Sequence, residues 1–223
     1  MIDFRETLAV LLIAVLTVSG VGFSQDEADD EDFGPYPVVE TGDTIIAPPT
    51  GVDPFYTKYL NANGVVIVGS GKVSDAAFYA ARKTILELMR KRPDVNAAML
   101  KNHPRISIMA FSETASDLPE FGERSDGEWG LGQMPGSATS LIWEKGIAYE
   151  GNTQYIANFL LHEFVHMVHN LAMPETDPEA LDEIYAAYLA AVEEGRFMKS
   201  PNESERTPTP FNAWRDETMA QPF

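Results

Sequence analysis

Two histidines four residues apart, His162 and His166, enclose a glutamate at position 163 within the stretch Leu160 to His169. This H-E-x-x-H spacing does chemistry when it lies on a helix. At 3.6 residues per turn the two histidines stand one turn apart on one face, so both imidazoles can reach a single Zn²⁺. Glu163 sits about 100° round the helix, beside the metal and not on it. From there it can take a proton from zinc-bound water and pass it to a leaving amine. Zinc lowers the pKa of that water to about 7, so hydroxide is available at neutral pH. His162 and His166 are therefore the candidate metal ligands and Glu163 the candidate general base. The chain has no cysteine, so thiolate nucleophiles, disulfides and Cys-ligated metals are excluded, and any metal is held by histidine and carboxylate.

The residues around the motif favour a buried helix. Leu160, Phe164, Met167 and Leu171 fall on the side away from the histidines, and Leu161, Val165 and Val168 on another, which leaves a single His/Glu stripe on an otherwise apolar cylinder. The plain structural alternative is a core helix whose histidines bond to backbone or carboxylate. His169 continues the stripe but lies about 10 Å further along the axis than His162, too far to share its metal. It reads as a supporting or core histidine, and His103, before Pro104, as a surface residue. A third ligand is not evident. Downstream carboxylates are Asp182, Glu183, Glu193, Glu194, Glu203, Glu205 and Glu217. Glu183 follows His166 by 17 residues, near the separation used by thermolysin-like enzymes but without their Asn-Glu-x-x-Ser-Asp context. Tyr185 and Tyr188, candidates to steady an oxyanion, read first as core residues at helical spacing.

Several elements must position this stripe. Gly64 to Gly69 is a short β-branched run bounded by glycines and predicts a buried strand. A helix capped by Ser74 or Asp75 follows to about Arg92, with Ala77, Ala81, Ile85 and Leu88 on one face. A second short helix is expected over Val95 to Leu100, and Arg105 to Phe111 alternates like a half-buried strand. Residues 112–138 read as a long loop, and Leu141 to Tyr149 as a strand or hairpin turning at Lys145-Gly146. Asn152 to Ala172 and Pro178 to Glu194 are predicted helices, the latter with Asp177 as its N-cap.

At the N-terminus, Leu8 to Phe23 is an apolar run after Arg5, shorter than a spanning helix requires, and reads as a secretory signal peptide over residues 1–24. An uncleaved anchor is the alternative. Residues 25–50 follow as an acidic, Pro/Gly-rich linker that opens with six acids in the seven residues Asp26 to Asp32. Residues 51–197 form the expected domain, and 198–223 a Pro/Thr-rich irregular tail. With 34 Asp+Glu against 16 Lys+Arg the net charge is -18, which excludes nucleic acid and disfavours anionic substrates.

The segments Lys58 to Ser70, Arg90 to Val95, Ile106 to Ala110 and Leu161 to His166 resemble a group of secreted microbial proteins whose metal site is similar to that of anthrax lethal factor, a gluzincin peptidase. The resemblance spans roughly residues 55–197. It implies zinc on His162 and His166, Glu163 as general base, and a third-ligand glutamate in an Asn-x-x-Glu segment near a tyrosine that steadies the oxyanion. This chain departs from the group after Gly195, where Arg196 to Glu205 leads into the tail. Asn202 and Glu205 echo the expected segment without its aromatics or tyrosine, and Glu183 falls in a helix the group does not use for ligation. The third-ligand segment is thus missing from its expected place.

The expected fold is α+β, a zincin-like domain with a small mixed sheet packed on helices, one bearing H-E-x-x-H. The expected function is a secreted or periplasmic zinc metallopeptidase acting on a peptide or protein substrate, with no stable membrane insertion after signal cleavage. Two alternatives remain open: an inactive or truncated pseudoenzyme serving as a secreted binding protein, and an acidic structural protein without metal.

Overall fold

The computed structural model describes residues 35–120, 122, 132–133 and 138–194. The expected signal peptide, acidic run and C-terminal tail lie outside the described residues. Five strands form one mixed sheet: β1 (Lys58–Ala62), β2 (Val65–Gly69), β3 (Arg105–Met109), β4 (Gly132–Gln133) and β5 (Thr139–Trp143), in the order β1-β2-β3-β5-β4. β2, β3 and β5 run parallel, while β1 and β4 close the edges in antiparallel fashion. The helices are α1 (Asp75–Met89), α2 (Pro93–Leu100), α3 (Phe159–Leu171), α4 (Met173–Thr176) and α5 (Pro178–Glu193).

The expected strand at Val65 is β2, and its five residues are all buried, as a parallel strand covered on both faces requires. β1 was not expected from the sequence. Its signal was Asn63-Gly64, both at positive φ (54° and 96°), the pair that a tight hairpin between two apolar runs demands. Gly64 also allows close approach, since a Cβ there would lie 2.6 Å from Leu100 Cδ2.

Helices cover one face of the sheet. Leu60, Val65, Ile67, Ile106, Ile108 and Ile142 pack against Phe78, Ile85, Met99, Leu160, Phe164 and Met167. Among the described residues the other face is covered by irregular segments and a short 3-10 turn, Ala115–Asp117. Tyr36 and Tyr56 pack on Tyr59, Val66 and Val68, and Ala115 and Leu118 on Met109, Leu141 and Trp143. This second cover explains why β3, expected to be half-buried, has all five residues buried. It also revises the N-terminal linker: residues 35–50 lie along β1. The Tyr59 hydroxyl donates to Pro37 O, Asn61 Nδ2 donates to Val39 O, and Ile46 bridges Tyr59.

A charged pair lies under this cover. Arg105 Nη2 is 3.2 Å from Glu120 Oε1, with both side chains nearly excluded from water. The Tyr56 hydroxyl donates to Glu120, Ser107 Oγ donates to Glu120 Oε1 at 3.4 Å, and the Arg105 guanidinium lies 3.9 Å from the Tyr36 ring centre. Burial, with Glu120 adding to it, pushes the Tyr36 hydroxyl from 10.0 up to about 12 and that of Tyr56 well above its ordinary range.

Two boundaries differ from expectation around the motif. β5 is not followed by a hairpin strand but by a 3-10 turn, Glu144–Gly146. The buried Glu144 carboxylate holds that turn by accepting from Ser74 N at 3.1 Å and from the Tyr149 hydroxyl at 2.8 Å. The helix expected from Asn152 begins only at Phe159. Asn152 explains the delay: Nδ2 donates to Glu144 O and Ile147 O while Oδ1 accepts from Gln154 N, so its side chain stabilises a turn that competes with helix. Asn158 then caps α3 by accepting from Leu161 N at 3.1 Å.

The turn and α3 meet at Gly146, where an added Cβ would lie 2.6 Å from Phe159 Cβ and Cδ2. Gly146→Ala must therefore displace the start of α3, with an expected loss of about 1–3 kcal/mol. Urea denaturation of the two proteins measures it, and an unchanged midpoint would show that the turn yields freely.

Candidate metal centre

α3 carries His162, Glu163 and His166 on its first two turns, as the spacing predicts. The helix buries Leu160, Phe164, Val165, Met167 and Val168 against the sheet and neighbouring helices. Buried apolar flanks fix the roll of the helix, and roll decides where its polar stripe points.

The two imidazoles converge. His162 Nε2 and His166 Nε2 are 3.3 Å apart, with ring planes at 73° and ring centres separated by 4.9 Å. Bonds of 2.0–2.1 Å at a tetrahedral angle place two zinc-bound nitrogens about 3.3–3.4 Å apart, so the pair spans one edge of such a tetrahedron. The same separation allows an N–H···N bond in the metal-free chain. Glu163 is buried, and its Oε1 lies 3.8 Å from His162 Nε2, off the His–His edge but adjacent to it.

Burial lowers both histidine pKa values. His162 falls below its ordinary 6.5, and His166 falls to about 3, with His162 and His169 adding like-charge repulsion to its desolvation. Both rings are thereby held neutral at physiological pH, the form that ligates metal. The consequence for stability has a definite sign. Below pH 6.5 the unfolded chain takes up protons that the folded rings refuse, so stability is lost as pH falls from 6.5 toward 3. Each such proton contributes a slope of up to about 1.4 kcal/mol per pH unit. In chelator-treated protein, denaturation at pH 7 and pH 5 should show this slope, and His166→Gln should make it shallower. Equal slopes in the two proteins would refute the assignment.

The remaining candidates are dispersed. His169 is buried and close enough to influence His166 electrostatically. His103 is exposed, as expected, in a left-handed turn at φ 50°. Glu183, proposed from spacing as a third ligand, is exposed on α5 and joins no ligand group. Among the described residues no set of three His, Asp or Glu side chains is arranged to hold a metal ion. The reason is that, among the described residues of α5, the buried stripe is Ala180, Leu181, Ile184 and Tyr188, which turns Glu183 outward. Of the two tyrosines read as core, Tyr188 is buried, while Tyr185 stacks on it at 6.2 Å and faces outward. Glu203, Glu205 and Glu217 lie outside the described residues.

Sequence reasoning passed over the buried carboxylates Glu120 and Glu144. Their only signal was isolated acids beside apolar runs, which solvated loops show equally. The chain matches no protein-family model, no curated protein and no solved structure. Among the described residues no helix is long and apolar enough to cross a membrane.

Proposed function

We propose that the chain is a secreted or periplasmic zinc metallopeptidase, a zincin-like α+β domain of gluzincin type. The observation that carries this reading is the 3.3 Å separation of His162 Nε2 and His166 Nε2 on one helix, the spacing a tetrahedral zinc needs. Zinc would supply Lewis acidity and an acidified water. Glu163, buried beside the pair, receives the proton of the attacking water and delivers it to the leaving amine. The neutral imidazoles favour cation binding, and the acidic chain favours peptides that are not themselves acidic.

A second reading has its own support. The outward placement of Glu183, with no third ligand grouped among the described residues, suits a binding protein that retains the helix pair without turnover. Zinc stoichiometry of the full chain, read beside cleavage of a mixed peptide library, separates the two. One zinc with cleavage that disappears in Glu163→Gln supports the peptidase, zinc without cleavage supports the binding protein, and no zinc removes both.

A further inference from the structure

The loop leading into α3 is pinned in place yet displays apolar side chains. Asn152 Nδ2 bonds Glu144 O and Ile147 O at 3.2 and 2.9 Å, Asn152 N bonds Tyr149 O at 3.1 Å, and Ile156 N bonds Lys145 O at 3.4 Å. Asn158 then caps the helix. Its backbone is thus tied down on both sides of Tyr155 and Ile156, residues that are 43% and 58% exposed. Folding makes little use of this apolar surface. Chain geometry bounds its distance from the histidines. Ile156 is two residues from the Asn158 cap, and His162 is one helical turn beyond it, so the backbone of Ile156 lies within about 13 Å of that of His162. An extended peptide advances about 3.3 Å per residue, so three or four residues cover that span.

We infer that Tyr155 and Ile156 form a substrate-binding wall for an extended peptide, holding a bulky apolar side chain a few residues from the scissile bond. This rests on the peptidase reading. The occupant is a peptide and not a nucleic acid or an acidic chain, because the protein is strongly anionic and Glu150 borders the loop. A pinned apolar surface favours such a ligand because little conformational freedom is lost when it binds.

The test uses the full chain and matched peptides that carry Leu or Ser at one position near the scissile bond. Wild type is expected to prefer Leu. Ile156→Ser and the double variant Tyr155→Ser/Ile156→Ser are expected to raise KM for the Leu peptide about tenfold, leaving kcat, zinc stoichiometry, melting temperature and the Ser peptide unchanged. Equal handling of the two peptides by wild type, or variants that match wild type, overturns the inference alone. Fluorescent versions of the peptides with Glu163→Gln separate the remaining outcomes. Binding without cleavage in wild type, lost in the loop variants, removes the peptidase reading but keeps the wall. No cleavage and no binding removes both.

Discussion

His166→Ala is expected to abolish stoichiometric zinc binding, while Glu163→Gln leaves zinc in place and removes turnover. The two substitutions are three residues apart and differ in what they touch. His166 supplies one of two nitrogens 3.3 Å apart, and its loss leaves a single imidazole on the helix. Structural zinc sites bind with about 10–16 kcal/mol shared among four ligands, so removal of one ligand costs on the order of 3 kcal/mol, or more than a hundredfold in affinity. In the proposed mechanism Glu163 transfers a proton and does not ligate the metal, and loss of a general base costs about 10²- to 10⁴-fold in rate. Metal analysis after dialysis and single-turnover cleavage assays measure the two effects separately. Equal zinc content in wild type and His166→Ala would end the metal reading, because the N–H···N contact alone would then account for the geometry.

Glu120→Ala should be the most destabilising single substitution on the side of the sheet away from the helices. It leaves Arg105 charged beneath the N-terminal cover and withdraws the acceptor of the Tyr56 and Ser107 hydroxyls. Breaking one half of a buried pair in this way costs about 3–5 kcal/mol, a large part of the about 5–15 kcal/mol typical of a domain. The joint replacement Arg105→Met/Glu120→Leu removes both charges and should recover much of that loss. Urea denaturation of the three proteins tests the pair, and a Glu120→Ala loss below about 1 kcal/mol would mean that water reaches Arg105. Limited proteolysis adds a local readout, since residues 35–57 should become cleavable in Glu120→Ala before the helical side does.

Local patterns were legible where short-range geometry controls the outcome. Ser74 caps α1 as expected, with its side chain accepting from Ala76 N, and the β-branched run after Gly64 is β2. α5 begins at Pro178 because proline suits the first helical turn. Expectation failed where partners outside the segment itself intervene. Asn152 delays α3 through bonds to the Glu144–Gly146 turn, and residues 35–50 lie on β1 through Tyr59 and Asn61. None of these partners follows from the periodicity of the segment concerned.

The same division applies to the candidate site. The sequence by itself determined that His162 and His166 share a helix face with Glu163 beside them, because helical periodicity is a property of consecutive residues. It also determined that any metal is held without cysteine. Only the tertiary structure decided that both imidazoles are held neutral, that Glu163 is buried next to them and that Glu183 faces away. Desolvation and the roll of one helix against another depend on atoms brought together from across the chain, and no spacing within a single helix encodes them.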